Sequence, residues 1–81
     1  MDKQELSDRV VKVVCEVLKI DRDMVKPSSH FIFDLGAEST QSVQLMAAFE
    51  EEFGVELGEE ALEVQTVEGA IDFLGKLVKA A

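Results

Sequence analysis

The start of the chain repeats apolar residues at the spacing of an amphipathic helix. Between Asp2 and Ile20 they form one stripe, made by Leu6, Val10, Val13, Val14 and Val17. A period near 3.6 residues places such positions on one side of an α-helix. The pattern therefore predicts a first helix from Asp2 to Ile20. Cys15 falls nearly opposite the centre of the stripe, so we expect its thiol to be at least partly exposed.

The next segment, Asp21 to Glu38, shows no sustained periodicity and contains a proline and a glycine. This composition is typical of a connecting loop, and loops of such length in a small domain are commonly functional. Apolar residues within it are expected to pin parts of the loop to the core, and these are Phe31, Ile32, Phe33 and Leu35.

A second helix is predicted to begin at Ser39, a residue type that often caps helices, and to end at Phe53 before Gly54. Its core-facing stripe comprises Leu45, Met46, Phe49 and Phe53. The other side of this helix carries Thr40, Val43, Gln44, Ala47, Glu50 and Glu51. That face is mildly apolar and has carboxylates at its edge. A monomer does not need an apolar residue such as Val43 there.

The remainder of the chain predicts one short helical turn and one further helix. The turn spans Gly58 to Glu63, and its apolar contacts are expected from Ala61, Leu62 and Val64. Thr66 has the character of an N-cap for the last helix, whose apolar face comprises Val67, Ala70, Ile71, Leu74 and Val78. We therefore predict a single all-α domain over 1–81, a four-helix bundle with three main helices, a short fourth and a long loop between helices one and two.

Charge and composition narrow the classes of partner. Seventeen acidic against eight basic residues give a formal net charge of −9, which repels nucleic acid and anionic membranes and favours basic protein surfaces. The hydrophobic fraction of 47% argues for a folded domain rather than disorder. A lone cysteine without a metal-ligand cluster suits a reducing compartment, and no membrane or targeting segment is visible. We expect a cytoplasmic protein without a bound metal.

Candidate chemistry concentrates where the long loop meets the second helix. Ser39 lies there, directly after Glu38, and is expected at the surface. From periodicity alone, the favoured interpretation is that Ser39 simply caps the helix. Asp21 does not begin a calcium loop, because Lys26 and Ile32 stand where glycine and glutamate are needed. His30 is expected to be a solvated loop residue rather than a general base.

Longer segments change the interpretation of Ser39. The stretch Asp34-Leu35-Gly36-Ala37-Glu38-Ser39, followed by Val43, Leu45 and Phe49-Glu50-Glu51-Glu52-Phe53-Gly54, resembles the acyl carrier protein signature around its phosphopantetheine serine. Phe31, Thr66-Val67 and Ala70-Ile71-Asp72-Phe73 are similar to that family as well. The resemblance covers nearly the whole chain in register.

The resemblance implies a carrier that performs no catalysis itself. Ser39 would bear a 4′-phosphopantetheine arm, attached from coenzyme A by a phosphopantetheinyl transferase, and acyl groups would ride on the arm as thioesters. The carrier is expected to be a monomer. Acyl-transferring or condensing enzymes with basic docking surfaces would contact it through Glu38, Thr40, Val43, Gln44, Ala47, Glu50 and Glu51. Acyl chains, which are costly to expose to water, would be shielded by Leu45, Met46, Phe49, Ile71 and Leu74.

Several positions depart from the family pattern. The family usually has Asp-Ser-Leu where this chain has Glu38-Ser39-Thr40, and acids where Gln41 and Gln44 stand. The predicted docking face has therefore lost charge and apolar surface. The resemblance implies a fatty-acid pathway or a specialised lipid or acyl pathway, and these departures argue against the enzymes of bulk fatty-acid synthesis as the main partners. An aminoacyl or polyketide carrier and an unmodified acidic adaptor remain the alternatives. The other glutamates near this face could equally be a solvated surface or a site for basic partners.

Overall fold

Three α-helices form the body of the computed structural model, which describes residues 2–80 apart from the side chains of Leu62, Lys79 and Ala80. The helices are α1 (Lys3–Leu18), α2 (Ser39–Phe53) and α3 (Val67–Ala80). Two 3₁₀ turns lie between them, at Arg22–Met24 and Glu59–Glu63. The predicted all-α fold is confirmed, and the short fourth helix takes the form of the second 3₁₀ turn. The predicted contact of Leu62 lies outside the described residues.

The ends of α1 are set by its caps. Asp2 precedes the helix and its Oδ1 accepts a hydrogen bond from the amide of Glu5 at 2.8 Å. At the other end Lys19 adopts the left-handed conformation, with φ of 56°, and its amide donates to the carbonyl of Cys15. The predicted helix ran beyond this point, because a lysine gives no sequence signal for a stop that glycine usually marks.

The core lies along α1, which packs against both α2 and α3. From α1 it receives Leu6, Val10, Val13, Val14 and Leu18. From α2 and α3 it receives Leu45, Phe49, Val67, Ala70, Ile71 and Leu74. Val17 is only half buried, as are Phe53 and Val78, so the predicted stripes are correct at their centres and exposed at their edges.

Within the long loop, only half of the predicted anchors reach the core. Phe31 and Leu35 are buried, but Ile32 is 50% exposed and Phe33 is 83% exposed, so the prediction for these two residues is wrong. The cause is a tight series of turns: the amide of Gly36 bonds the carbonyl of Ile32, and that of Ala37 bonds the carbonyl of Phe31. These turns leave Phe31 and Leu35 on the core side of the segment and Ile32 and Phe33 on its solvent side.

Backbone hydrogen bonds fix the loop to the start of α3. The amide of Phe31 donates to the carbonyl of Gln65 at 2.9 Å, and that of Val67 donates to the carbonyl of Ser29 at 3.0 Å. His30 and Thr66 form an isolated antiparallel bridge between the same two segments. These hydrogen bonds therefore hold the loop against the start of α3.

The signals predicted for the end of α2 and the start of α3 are confirmed. Gly54 is left-handed, with φ of 64°, and its amide caps α2 by donating to the carbonyl of Glu50. Thr66 caps α3, because its Oγ1 accepts from the amide of Gly69 at 3.0 Å. Across the described part of the chain, no helix combines the length and apolar character needed to cross a membrane.

Candidate site at the start of helix α2

Ser39 is the first residue of α2 and not its N-cap, which corrects the capping prediction. Glu38 occupies the cap position with extended backbone, and its amide donates to Oε1 of Gln41 at 2.9 Å. The side chain of Ser39 is therefore not needed to cap the start of α2. It is exposed, and its hydroxyl has no hydrogen-bond partner within residues 2–80.

The backbone around Ser39 is held in place from both sides. Gly36 adopts φ of 73°, a conformation that side chains other than glycine rarely tolerate. Ala37 is buried, and its amide donates to the carbonyl of Phe31 at 2.8 Å. On the helical side, the amide of Ser42 donates to the carbonyl of Glu38. The hydroxyl therefore stands on a hydrogen-bonded junction between the loop and α2.

The local electrostatics suit a phosphate group at this hydroxyl. Free amide groups give a helix N-terminus a partial positive charge that favours anions. The first turn of α2 contains no carboxylate that would oppose an anion there. Glu38 is exposed at the N-cap, immediately before the helix. The exposed hydroxyl and the first-turn amides fit an attached phosphodiester, although the carboxylate of Glu38 at the N-cap opposes part of this electrostatic attraction.

Most of the predicted docking face is open to solvent. Exposed residues on it are Glu38, Thr40, Val43, Gln44, Ala47 and Glu51. Glu50 differs, because it is half buried and its Oε2 accepts a hydrogen bond from the amide of Leu57 at 3.1 Å. This carboxylate stabilises the chain after α2, a role that the sequence pattern did not indicate.

A second glutamate of α2 joins two helices. The Oε2 atom of Glu52 lies 2.9 Å from Nε of Arg9 on α1, and the same guanidinium lies over the ring of Phe53 at 5.6 Å from its centroid. Glu51, Glu56, Glu59 and Glu60 are exposed. The acidic surface is thus divided between residues that hold the fold and residues that are free to meet solvent or a partner.

A cavity of about 130 Å³ lies between α2 and α3. Four of the five residues predicted to shield an acyl chain line it, namely Leu45, Met46, Phe49 and Leu74. Ile71 does not: it is buried on another side of α3, beside Leu6 and Gly75. Adjacent positions on a helix differ by about 100°, so Ala70 faces the cavity while Ile71 turns away.

Further walls of the cavity come from segments outside the helical stripes. Phe73 adds a ring from α3, and the loop contributes Phe31 and Ile32. The 3₁₀ turn and its flanks contribute Leu57, Ala61 and Val64. The spacing of Ala70, Phe73 and Leu74 could have revealed the α3 wall, whereas the loop residues carry no periodic signal.

The thiol of Cys15 lies on α1 and is partly exposed, as predicted. Burial raises the pKa of this thiol above its ordinary value, and the nearby positive charge of Arg22 opposes that shift. A raised pKa leaves less thiolate at neutral pH, so Cys15 is a weak nucleophile.

The comparison with known families agrees with this geometry. A family model described as the phosphopantetheine attachment site matches residues 8–74, a span that runs from α1 into α3 and includes the junction at Ser39. Members of this family bind 4′-phosphopantetheine covalently and act as carriers. The match covers most of the chain, and the chain therefore belongs to the family of phosphopantetheine-bearing carrier proteins.

Proposed function

We propose that this protein carries acyl groups as thioesters on a 4′-phosphopantetheine arm attached to Oγ of Ser39, in the cytoplasm and without catalysing a reaction itself. It delivers these groups to enzymes of fatty-acid synthesis or of a more specialised lipid or acyl pathway. A phosphopantetheinyl transferase loads the arm, and the later enzymes dock through basic surfaces.

The observation that carries the proposal is the position of Ser39. Its hydroxyl is exposed, lacks a hydrogen-bond partner within the described chain and stands at the N-terminus of a helix of 15 residues. Ser42, one turn later, donates from Oγ to the carbonyl of Glu38 at 3.4 Å and is half buried. Ser29 is buried, and its Oγ accepts from the amide of Lys26. Ser28 is exposed as well, but it lies in the long loop and not at a helix N-terminus, so exposure and position together favour Ser39.

The loading reaction needs little from this chain beyond an accessible oxygen. Oγ of Ser39 forms the new bond to phosphorus, the phosphoanhydride bond of coenzyme A breaks, and adenosine 3′,5′-bisphosphate leaves. The proton of the hydroxyl passes to a base of the transferase. The amides of the first α2 turn favour the resulting phosphodiester electrostatically. Once attached, the arm supplies a thiol that holds the acyl group as a thioester.

Coexpression with a phosphopantetheinyl transferase tests the proposal. We expect the intact mass to increase by one phosphopantetheine group, and fragment mapping to assign that group to the peptide containing Ser39. A protein that stays unmodified would instead support the acidic adaptor, and an arm on another serine would refute the assignment. Mass analysis of protein from its native cell identifies the cargo and so distinguishes acyl, aminoacyl and polyketide carriers.

The cavity between α2 and α3 supports shielding of the acyl chain. Each methylene moved out of water contributes about 0.8 kcal/mol, so even a short chain gains from an apolar wall. We expect the side-chain chemical shifts of Leu45, Phe49 and Leu74 to change between the holo form and a medium-chain acyl form. Ile71, which is buried outside the cavity, should change less and serves as the internal control. Unchanged shifts at all four residues would contradict shielding.

Thr40 bears on the choice of pathway. It is exposed on the first turn of α2, directly after Ser39, where a leucine would offer a partner an apolar anchor. Burial of such a side chain contributes roughly 1.5 to 3 kcal/mol before the costs of association. We expect Thr40→Leu to raise the kcat/KM of general fatty-acid-synthesis enzymes on this carrier, without improving recognition by the cognate partner. If the wild-type protein is already as good a substrate for the general enzymes as Thr40→Leu, the case for a specialised pathway loses its main support.

A further inference from the structure

Two consecutive apolar side chains project from the loop that precedes Ser39. Phe33 is 83% exposed and Ile32 is 50% exposed, which makes Phe33 the most exposed of the large apolar residues in the described chain. An aromatic ring gains free energy from burial, so such exposure favours a partner that covers it. We call Ile32 and Phe33 the loop patch.

The exposure of the loop patch is enforced by His30. Its Nδ1 accepts hydrogen bonds from the amides of both Ile32, at 3.1 Å, and Phe33, at 3.2 Å. The carboxylate of Asp34 accepts from the amide of His30 at 2.7 Å, and the rings of His30 and Phe33 lie 4.4 Å apart. His30, predicted to be a solvated loop residue, is thus a structural residue. It holds the patch in one outward orientation, so docking would cost little ordering of the loop.

One residue of the loop patch, Ile32, lies near the start of α2, and Phe33 precedes Ser39 by six residues in the chain. Ile32 and Ser42 line the same cavity, and Ser42 is one turn along the helix from Ser39. Exposed carboxylates flank the patch, at Asp34 on one side and at Glu38 towards the helix. A protein that covers the patch would therefore also reach Ser39, and it would need positive charge around an apolar pocket.

The size and charge of the surface argue against a second copy of the chain. Two side chains present at most about 250 Å² of apolar area, whereas a stable interface needs roughly 800 Å² from each partner. Two copies, each with a formal net charge of −9, would also repel each other. A small anchor surrounded by charge suits an enzyme that binds and then leaves.

We infer that the loop patch is a docking anchor for the phosphopantetheinyl transferase, which receives Phe33 in an apolar pocket edged by lysine or arginine side chains. The transferase fits this position because its active site must come to the hydroxyl of Ser39 itself and so needs contacts on the loop side of that serine. The later enzymes receive the end of the arm and are expected on the exposed face of α2 that carries Thr40 and Val43. The inference rests on the proposed attachment at Ser39.

Transfer kinetics on the apo protein test the anchor. The assay uses the purified transferase of the same organism with coenzyme A, and compares wild type with Phe33→Ser. We expect KM for the carrier to rise at least tenfold, which corresponds to 1.4 kcal/mol, while kcat changes little. Phe33→Leu, which keeps an apolar side chain, should retain most of the wild-type affinity.

A matched control separates the anchor from general surface hydrophobicity. Met24 is 54% exposed on the first 3₁₀ turn, so Met24→Ser should leave KM unchanged. Circular dichroism checks that each variant folds, and Phe33→Gln provides the same test if the serine variant does not. Equal KM values for wild type and the Phe33 variants would overturn the inference, as would a dimer of wild type that Phe33→Ser dissociates. Failure to modify wild type at all would instead refute the proposed function.

Discussion

Replacing Ser39 with alanine is expected to abolish attachment of the phosphopantetheine arm. Alanine has no hydroxyl that could form the phosphodiester. The hydroxyl of the neighbouring Thr40 lies at a different position on the helix. After coexpression with a transferase, the intact mass of Ser39→Ala should equal that of the bare chain. Because the hydroxyl is exposed and unpaired in the described chain, the free energy of unfolding should change by no more than about 0.5 kcal/mol.

Ser42→Ala is the matched control for this result. Ser42 lies on the same helix, one turn later, but it is half buried and its hydroxyl faces the carbonyl of Glu38. This variant should still acquire one arm. If Ser39→Ala were modified to the same extent as wild type, the attachment site would lie elsewhere and the proposed docking surfaces would have to be placed again around it.

The helices could be predicted because local signals agree with the packing. The bounds of α2 follow from the apolar stripe that contains Leu45 and Phe49 and from the stop at Gly54. The start of α3 follows from the hydroxyl of Thr66, which needs no distant contact to cap the helix. At these positions the local preference of the chain and its tertiary contacts favour the same structure.

The parts that could not be predicted depend on contacts between distant segments or on backbone conformation without a sequence signal. Phe33 has the same apolar character as buried Phe31, and only the turns around His30 place it outside. Glu50 resembles its solvated neighbours, but the return of the chain at Leu57 gives its carboxylate a partner. Periodicity identifies the apolar face of α3 but cannot divide it between α1 and the cavity, so it does not reveal that Ile71 lies beside Leu6 and away from the cavity lining.

The prediction of Ser39 as the attachment residue has a different basis. Periodicity alone favoured a capping role for Ser39, and the structure assigns that position to Glu38. The family resemblance identified Ser39 through its surroundings in the sequence, and the match over residues 8–74 supports the same class of protein. Because Ser39 does not cap the helix, its hydroxyl is available for chemistry.

Stability should depend most strongly on the side chains shared by the core and the cavity, and Leu74→Ala is the sharpest test. Leu74 is 1% exposed on α3 and borders the cavity between α2 and α3. Truncation would remove buried apolar atoms and enlarge a space that the helices already leave unfilled. We expect the free energy of unfolding to fall by about 2 to 5 kcal/mol.

That loss is large for a domain near the lower limit of size for a stable apolar core. Each kcal/mol lowers the Tm of such a domain by roughly 4 to 8 °C, so the variant should melt at least about 8 °C below wild type. Val43→Ala, at a position on α2 that is 61% exposed, should shift stability by no more than about 0.5 kcal/mol. Added salt should raise the Tm of all three proteins, because it screens the repulsion within a chain of net charge −9. A Leu74→Ala variant that melts within a few degrees of wild type at every salt concentration would mean that α3 repacks into the cavity, and that the space between α2 and α3 is adjustable rather than fixed.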